Sequence, residues 1–247
     1  MSDAREVRLA PGPGSLRYDI PVLPGMFAGI SGAAAGTMAL SRRAALPWRS
    51  KLFGSLGIAE GRCFGLRQVH SRQIVVVDEQ EPEALAGIEA DGMITNAARP
   101  VLTVTVADCL PIFLADRRTG AFGLVHSGWK GTGIVVEAIR AMAARFGTRA
   151  ADLSVTVGPG IGACCYEVPE ERAERFASEF GSATVTRDSA GKPSLDLRAA
   201  NVALARREGV AEVSVVMDCT SCSTSLGSFR RQGPGRFTLM LAFLGRG

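Results

Sequence analysis

His70 and His126 are the only histidines in 247 residues, and both stand where an apolar run gives way to a turn. His70 follows Gly65-Leu66-Arg67-Gln68-Val69. His126 follows Ala121-Phe122-Gly123-Leu124-Val125 and opens Ser127-Gly128-Trp129-Lys130-Gly131. Cys109 lies seventeen residues before His126, within Ala107-Asp108-Cys109-Leu110-Pro111. Two imidazoles and one thiolate suit zinc, which takes sulfur at about 2.3 Å and nitrogen at about 2.0–2.1 Å and keeps a fourth position open in catalytic sites. A second chemistry is open to the same residues, with His126 as general base to a nucleophilic Cys109. That pairing leaves His70 without a role, which favours the metal. Asp108 either orients a ligand from behind or caps the turn. A buried structural cysteine beside a hydrogen-bonded histidine is the remaining reading, and it is the one that spacing alone favours.

Arg230-Arg231 with Arg236 is the best phosphate candidate, because guanidinium forks hold phosphate oxygens in pairs, although spacing alone suits a solvated basic turn equally well. Cys219-Thr220-Ser221-Cys222 is a C-x-x-C, which suits half of a zinc ribbon or a redox pair, but the expectation is that these are packing or incidental thiols. Cys164 and Cys165 are adjacent, so the expectation is that they do not supply the missing half. Gly158-Pro159-Gly160-Ile161-Gly162-Ala163 approaches the dinucleotide fingerprint, but Val168-Pro169 bars a long helix from opening directly after it. A tight turn is expected there. The stretch from Ser127 to Gly133 leads into a helix start, where anions are favoured, without matching a P-loop.

The elements that must position these residues begin with apolar, turn-bounded runs. Strands are expected at 16–22, 62–66, 74–77, 101–106, 111–115 and 121–125. A helix follows over 132–146, with Thr132 as N-cap and Val135, Ala138, Ile139, Met142 and Phe146 on one face. A strand at 153–157, helices over 170–180 and 195–207, and strands at 213–217 and 237–243 complete the pattern. Strands in series with helices placed later favour an α+β class: one domain over residues 1–247, with mixed β-sheets flanked by helices.

Composition narrows the partners. Hydrophobic residues make up 47% and charged residues 21%, which is enough for a folded core. The net charge is only +4, and the basic residues, nearly all arginine, are scattered apart from small clusters such as Arg42-Arg43. No nucleic-acid partner is expected. No apolar run approaches the ~20 residues that span a bilayer, so no membrane partner is expected either. Met1-Ser2-Asp3-Ala4-Arg5-Glu6 lacks the basic and apolar regions of a signal peptide, which points to the cytoplasm. Thiols stay reduced there, and the six cysteines read as free thiols or ligands. No feature indicates an oligomeric state.

Taken together, the motifs resemble the YfiH/YlmD family, the laccase-domain or "polyphenol oxidase" family associated with purine nucleoside phosphorylase activity. The resemblance rests on Gln68-Val69-His70-Ser71, Val106-Ala107-Asp108-Cys109-Leu110-Pro111 and Val125-His126-Ser127-Gly128-Trp129-Lys130-Gly131. It continues through Gly158-Pro159-Gly160-Ile161-Gly162-Ala163-Cys164-Cys165-Tyr166-Glu167-Val168, Leu195-Asp196-Leu197, Asp218-Cys219-Thr220 and Phe229-Arg230-Arg231. It implies a single α+β domain whose zinc is held by His70, Cys109 and His126. It also implies phosphorolysis of adenosine, guanosine, inosine and methylthioadenosine, together with adenosine deamination, with purine nucleosides and phosphate as partners. Arg230 and Arg231 are then expected to hold the phosphate.

Two departures bear on substrate preference. Gly25-Met26-Phe27-Ala28-Gly29-Ile30-Ser31-Gly32 lacks the arginine usual at that place in the family, and Gln232 follows the arginine pair where an acid is usual. Three rival readings stay open. The first is a polyphenol oxidase with copper at the same ligands, although two histidines are too few for a multicopper cluster. The second is an amidase acting on cell-wall precursors through Cys109, and the third is a binding protein with a structural zinc.

Overall fold

The run Leu110-Pro111-Ile112-Phe113-Leu114-Ala115-Asp116 shows no polar alternation, as expected of a strand covered on both faces, and all seven residues are buried in one strand, β9 (Leu110–Asp116). The computed structural model describes residues 4–11, 16–39, 46–78 and 80–247. Met1, Ser2, Asp3 and the Arg42-Arg43 pair lie outside the described residues.

Strands and helices are numbered here in chain order. β9 is central to a seven-stranded mixed sheet. On one side it pairs antiparallel with β11 (Leu153–Val157), which continues in parallel to β14 (Glu212–Val216) and β1 (Arg5–Val7). On the other it pairs antiparallel with β10 (Phe122–Ser127). That strand pairs antiparallel with β7 (Gly92–Thr95), which runs parallel to β6 (Ile74–Val76). A six-stranded sheet packs against it in the order β2 (Ala10–Pro11), β3 (Arg17–Asp19), β4 (Met26–Ser31), β15 (Met240–Arg246), β8 (Val101–Val106) and β5 (Cys63–Phe64). A small hairpin pairs β12 (Val185–Arg187) with β13 (Pro193–Leu195).

The two-residue side-chain period sorts each strand into layers. Ile112 and Leu114 face a cluster with the helices α3 (Ile134–Phe146), α4 (Glu170–Phe180) and α5 (Leu197–Arg207). Phe113 faces the second sheet, where Leu102, Val104, Met240, Ala242 and Leu244 meet it. On the far side of that sheet, Leu241 and Phe243 pack on Leu52 and Phe53 of α1 (Leu46–Ser55). The expected α+β class with mixed sheets flanked by helices is the observed one.

The differences from expectation are local. α3 begins two residues late, because Thr132 Oγ1 donates back to Gly128 O at 2.9 Å instead of capping. Gly133 takes the N-cap place at φ 105°, where a side chain would be strained. α5 starts at Leu197, since Pro193–Leu195 is drawn into the hairpin, and the Asp196 carboxylate caps it by accepting from Ala199 N at 2.9 Å. The strand expected at 16–22 stops at Asp19, and the one expected at 237–243 is shifted to Met240–Arg246. Among the described residues, no helix is long and apolar enough to cross a membrane.

Candidate metal centre

The chain leaves the six-stranded sheet at the end of β8 and enters the seven-stranded sheet as β9 after only Ala107-Asp108-Cys109. Such a short crossover requires an unusual backbone, and Asp108 adopts φ 94°. In the β9/β10 register, Pro111 lies opposite His126 and Leu110 opposite Ser127, which sets Cys109 beside the turn at Gly128. In the β10/β7 register, Val125 lies opposite Gly92, so Asp91 comes beneath His126, and His126 N donates to Asp91 O at 2.7 Å. His70 sits in the loop between β5 and β6 at φ 61°. The Gln68 amide fastens that loop to β8, donating to Thr105 O at 2.9 Å and accepting from Thr105 N at 2.8 Å.

The three expected ligands therefore converge. Their donor atoms all lie within 4.8 Å of one another, with Cys109 Sγ 3.8 Å from His70 Nε2. A tetrahedral zinc would ask for a sulfur–nitrogen separation of about 3.6 Å, from bond lengths of about 2.3 and 2.05 Å. The imidazole rings stand edge to face, 4.9 Å apart. Gly128 leaves the sulfur room: a Cβ there would lie 2.7 Å from Cys109 Sγ and 3.1 Å from His70 Cδ2. The donor set and its cradle fit a thiophilic ion with an open side.

Sequence reasoning missed the group that holds this arrangement. Asp91 is fully buried. Its Oδ1 accepts from His70 N at 3.0 Å and meets His126 Nδ1 at 2.8 Å. Its Oδ2 accepts from Val69 N (3.2 Å), Ser71 N (2.6 Å) and Ser71 Oγ (2.8 Å). Burial alone would raise its carboxyl, but the His126 and Ser71 contacts bring it down to about 2. A carboxylate on Nδ1 fixes the imidazole so that Nε2 is the nitrogen left free to serve as a ligand. Burial would likewise push the Cys109 thiol up and His126 down. Their mutual attraction outweighs it, bringing Cys109 to about 6 and, with Asp91, His126 to about 9. Asp91 carried no sequence signal beyond being an acid just before a short apolar run.

The centre opens into a cavity of about 580 Å³ lined by His70, Cys109 and His126, with Trp129, Tyr166, Phe229 and Phe237 as aromatic walls and Arg172 and Arg230 as cations. Phe229 and Phe237 stand edge to face at 5.1 Å, and Arg172 lies over Trp129 at 4.5 Å. Arg230 lies over Tyr166 at 5.5 Å and donates to Glu167 O at 2.9 Å.

The other candidates have different places. Arg231 does not line the cavity; its guanidinium donates to the carbonyls of Thr220, Ser221 (3.0 Å), Ser223 (2.6 Å) and Leu226. Arg236 is exposed outside the cavity lining. Asp108 lines the cavity, but its carboxylate accepts from Thr220 Oγ1 (2.6 Å) and Arg230 N (2.7 Å), buttressing the wall that carries Arg230. Gln232 takes a structural place: its Oε1 accepts from Ser228 N (2.8 Å) and Thr238 N (3.0 Å). The glycine-rich stretch is an irregular segment bridged to Cys219 at Gly160, and the turn itself falls just after it, over Ala163–Cys165. The cysteine expectation is overturned, because Cys164 and Cys165 do meet Cys219 and Cys222.

The family described as multi-copper polyphenol oxidoreductase laccase matches residues 42–244. The chain belongs to that family. The crystal structure of YlmD from Geobacillus stearothermophilus superposes with a TM-score of 0.87 at 28% identity, covering 95% of this chain and 97% of that one. A purine nucleoside phosphorylase of Mycobacterium tuberculosis is 35% identical over 197 residues, 78% of this chain and 77% of that protein. An adenosine deaminase from an unknown prokaryotic organism is 34% identical over 182 residues, 68% of this chain and 69% of that protein. The YfiH/YlmD resemblance read from the motifs is thus a family membership.

Proposed function

We propose that this protein is a zinc-dependent purine nucleoside phosphorylase acting on adenosine, guanosine, inosine and methylthioadenosine, with a secondary adenosine deaminase activity. The observation that carries the reading is the convergence of two imidazole nitrogens and one thiolate at a cavity of about 580 Å³ whose walls pair aromatic rings with arginines. Flat rings suit a purine, and a guanidinium suits phosphate. The names of the relatives above agree with both halves of the site.

His70, Cys109 and His126 would hold the ion, which supplies Lewis acidity toward a substrate atom when bound. Asp91 holds the His126 proton on Nδ1 and the His70 loop in place. Arg230 positions phosphate, and Asp108 positions Arg230 through its backbone. Arg231 supports the same wall from behind, tying the 220–226 loop. In phosphorolysis a phosphate oxygen bonds to C1′ while the glycosidic bond breaks and the base leaves with the electron pair. Holding both reactants in one cavity makes that attack effectively unimolecular, which is worth several kcal/mol.

The test is chromatography of reactions with adenosine and inosine, with and without phosphate, beside His126→Ala. Phosphate-dependent release of adenine and hypoxanthine, absent in the variant, is expected. No turnover by zinc-loaded wild type would sink the reading. The Cys109 thiol, brought to about 6 beside His126, supports a second reading as a cysteine-dependent amidase. Full activity without zinc, abolished by alkylation of Cys109, would decide for it.

A further inference from the structure

Four of the six cysteines meet on the other side of the wall formed by the glycine-rich stretch. Cys164 and Cys165 lie in the loop after β11, and Cys219 and Cys222 in the loop after β14. These strands are parallel neighbours, so both loops emerge at the same end of the sheet. Pairing continues past the strand ends through a bridge between Gly160 and Cys219, with Thr220 N donating to Gly160 O at 3.1 Å.

The four Sγ atoms all lie within 4.8 Å of one another; Cys165 and Cys222 are 3.4 Å apart, and Cys164 and Cys222 are 3.7 Å apart. The edge of a tetrahedral zinc–tetrathiolate is about 3.8 Å, from a bond length of about 2.3 Å. A disulfide would bring one pair to about 2.05 Å and leave the other two unmatched.

The surroundings suit anionic sulfur. Gly162 N donates to Cys219 Sγ at 3.2 Å. Arg198 is buried, with Cys219 and Cys164 among the groups attracting its charge. Its Nη2 donates to Gly160 O and Asp218 O, each at 2.8 Å, and its Nε has no partner. A tetrathiolate of a divalent ion carries two net negative charges, and this guanidinium offsets part of them. Arg231 fixes the carbonyls of the Cys219–Cys222 loop. Cys164 and Cys222 are exposed, so an ion has a route in.

We propose that Cys164, Cys165, Cys219 and Cys222 form a second metal centre, a four-thiolate site for a thiophilic divalent cation, zinc in the first instance. Each thiol that enters coordination releases its proton and no electrons are transferred. The ion would pin the loop carrying Ile161 to the loop carrying Thr220. Ile161 lines the cavity and Thr220 holds Asp108, so the second centre braces the wall of the first. Its existence does not depend on what the first centre binds or does.

The full-length protein, purified under reducing conditions, is assayed for bound zinc and for the absorption of its cobalt-loaded form. Wild type, His126→Ala and Cys222→Ser are compared. Two zinc ions per chain are expected in wild type and one in each variant. Cobalt-loaded His126→Ala should show the charge-transfer intensity of a four-thiolate tetrahedral ion, and a variant combining His126→Ala with Cys222→Ser should not. If wild type and His126→Ala each hold one ion and Cys222→Ser none, the second centre stands and the catalytic-zinc reading falls. Cys164→Ser replaces Cys222→Ser if the latter fails to give a wild-type circular dichroism spectrum. A metal content unchanged by the cysteine substitutions overturns the proposal. So does a cobalt spectrum without thiolate bands in His126→Ala, or a Cys165–Cys222 disulfide mapped in the protein kept under reductant.

Discussion

Asp91→Asn exchanges one oxygen for an amide and removes one charge at the point where the His70 loop is tied to His126. The native carboxylate satisfies three backbone N–H groups, one hydroxyl and one imidazole with two oxygens. Asparagine offers a single acceptor oxygen. If that oxygen faces His126 and His70 N, the amide hydrogens confront the N–H groups of Val69 and Ser71; the flipped amide confronts His126 instead. A buried donor left without an acceptor costs about 1–3 kcal/mol. Holding the carboxyl at about 2 rather than 3.8 corresponds to about 2.5 kcal/mol of preference for the charged form. The two routes agree on a loss of about 2–3 kcal/mol at neutral pH.

The pH dependence has a definite sign. The Asp91 carboxyl is depressed in the folded state, so its contribution is fully present above the unfolded value near 3.8 and is lost as the pH falls through about 2. Urea unfolding at pH 7 should separate wild type from Asp91→Asn by the full amount, and the gap should close between pH 4 and pH 2. Groups that orient a ligating histidine typically carry 10–100-fold in metal affinity, so chelator competition should show zinc affinity weakened by about that factor. Lost stability with unchanged zinc affinity would refute the orienting role, and unchanged stability would refute the buried-charge argument itself.

Gly128→Ala places a methyl 2.7 Å from Cys109 Sγ. It should cost about 1–3 kcal/mol of strain and lower zinc content measured by atomic absorption. On the proposed reading, Arg230→Ala removes a charge-assisted contact to phosphate worth about 1.5–3 kcal/mol. It should raise the KM for phosphate about 10–100-fold with little change in Tm, whereas Arg231→Ala should lower Tm by leaving four loop carbonyls unpaired. In the zinc-free protein Cys109 lies at about 6 and His126 at about 9, and both must be deprotonated to bind the ion. Zinc binding at pH 7.5 should release about one proton from this pair, and more below pH 6, where Cys109 also carries its proton, with affinity rising toward pH 9; calorimetry in buffers of different ionisation enthalpy reads the rise directly.

What the sequence made legible follows from how local the cause was. The apolar runs that became β8 and β11 and the helix over 170–180 came out at their observed bounds, and β9 and β10 within two residues. Each strand is a long enough apolar run to show, and α4 is bounded by Pro169 and Gly181. β7, only four residues including a glycine, offered too short a run. His70, Cys109 and His126 were found because histidines are scarce and each stands where strand meets turn. Asp91 was not found, because one acid among 24 acquires its role only when β7 pairs with β10. The four-cysteine cluster was misread for the same reason: Cys165 and Cys222 are 57 positions apart and meet through the parallel β11/β14 pairing. Arg231 shows the converse, a residue whose chemistry suited phosphate and whose loop used it for carbonyls instead.

The family's description speaks of several coppers, and the donor inventory weighs against that for this chain. Centres that reduce oxygen at a copper cluster need many imidazoles, because imidazole is the ligand that suits copper in both oxidation states there. This chain has two, and both point at one place within 4.8 Å of Cys109. The only other group of candidate donors among the described residues is all sulfur, a set that selects zinc or cuprous copper over a cupric centre. An open N₂S site facing a cavity of about 580 Å³ with aromatic and arginine walls, by contrast, needs no redox partner. The arrangement therefore favours group transfer over oxidation, and copper-loaded protein should oxidise phenols no faster than its His126→Ala variant.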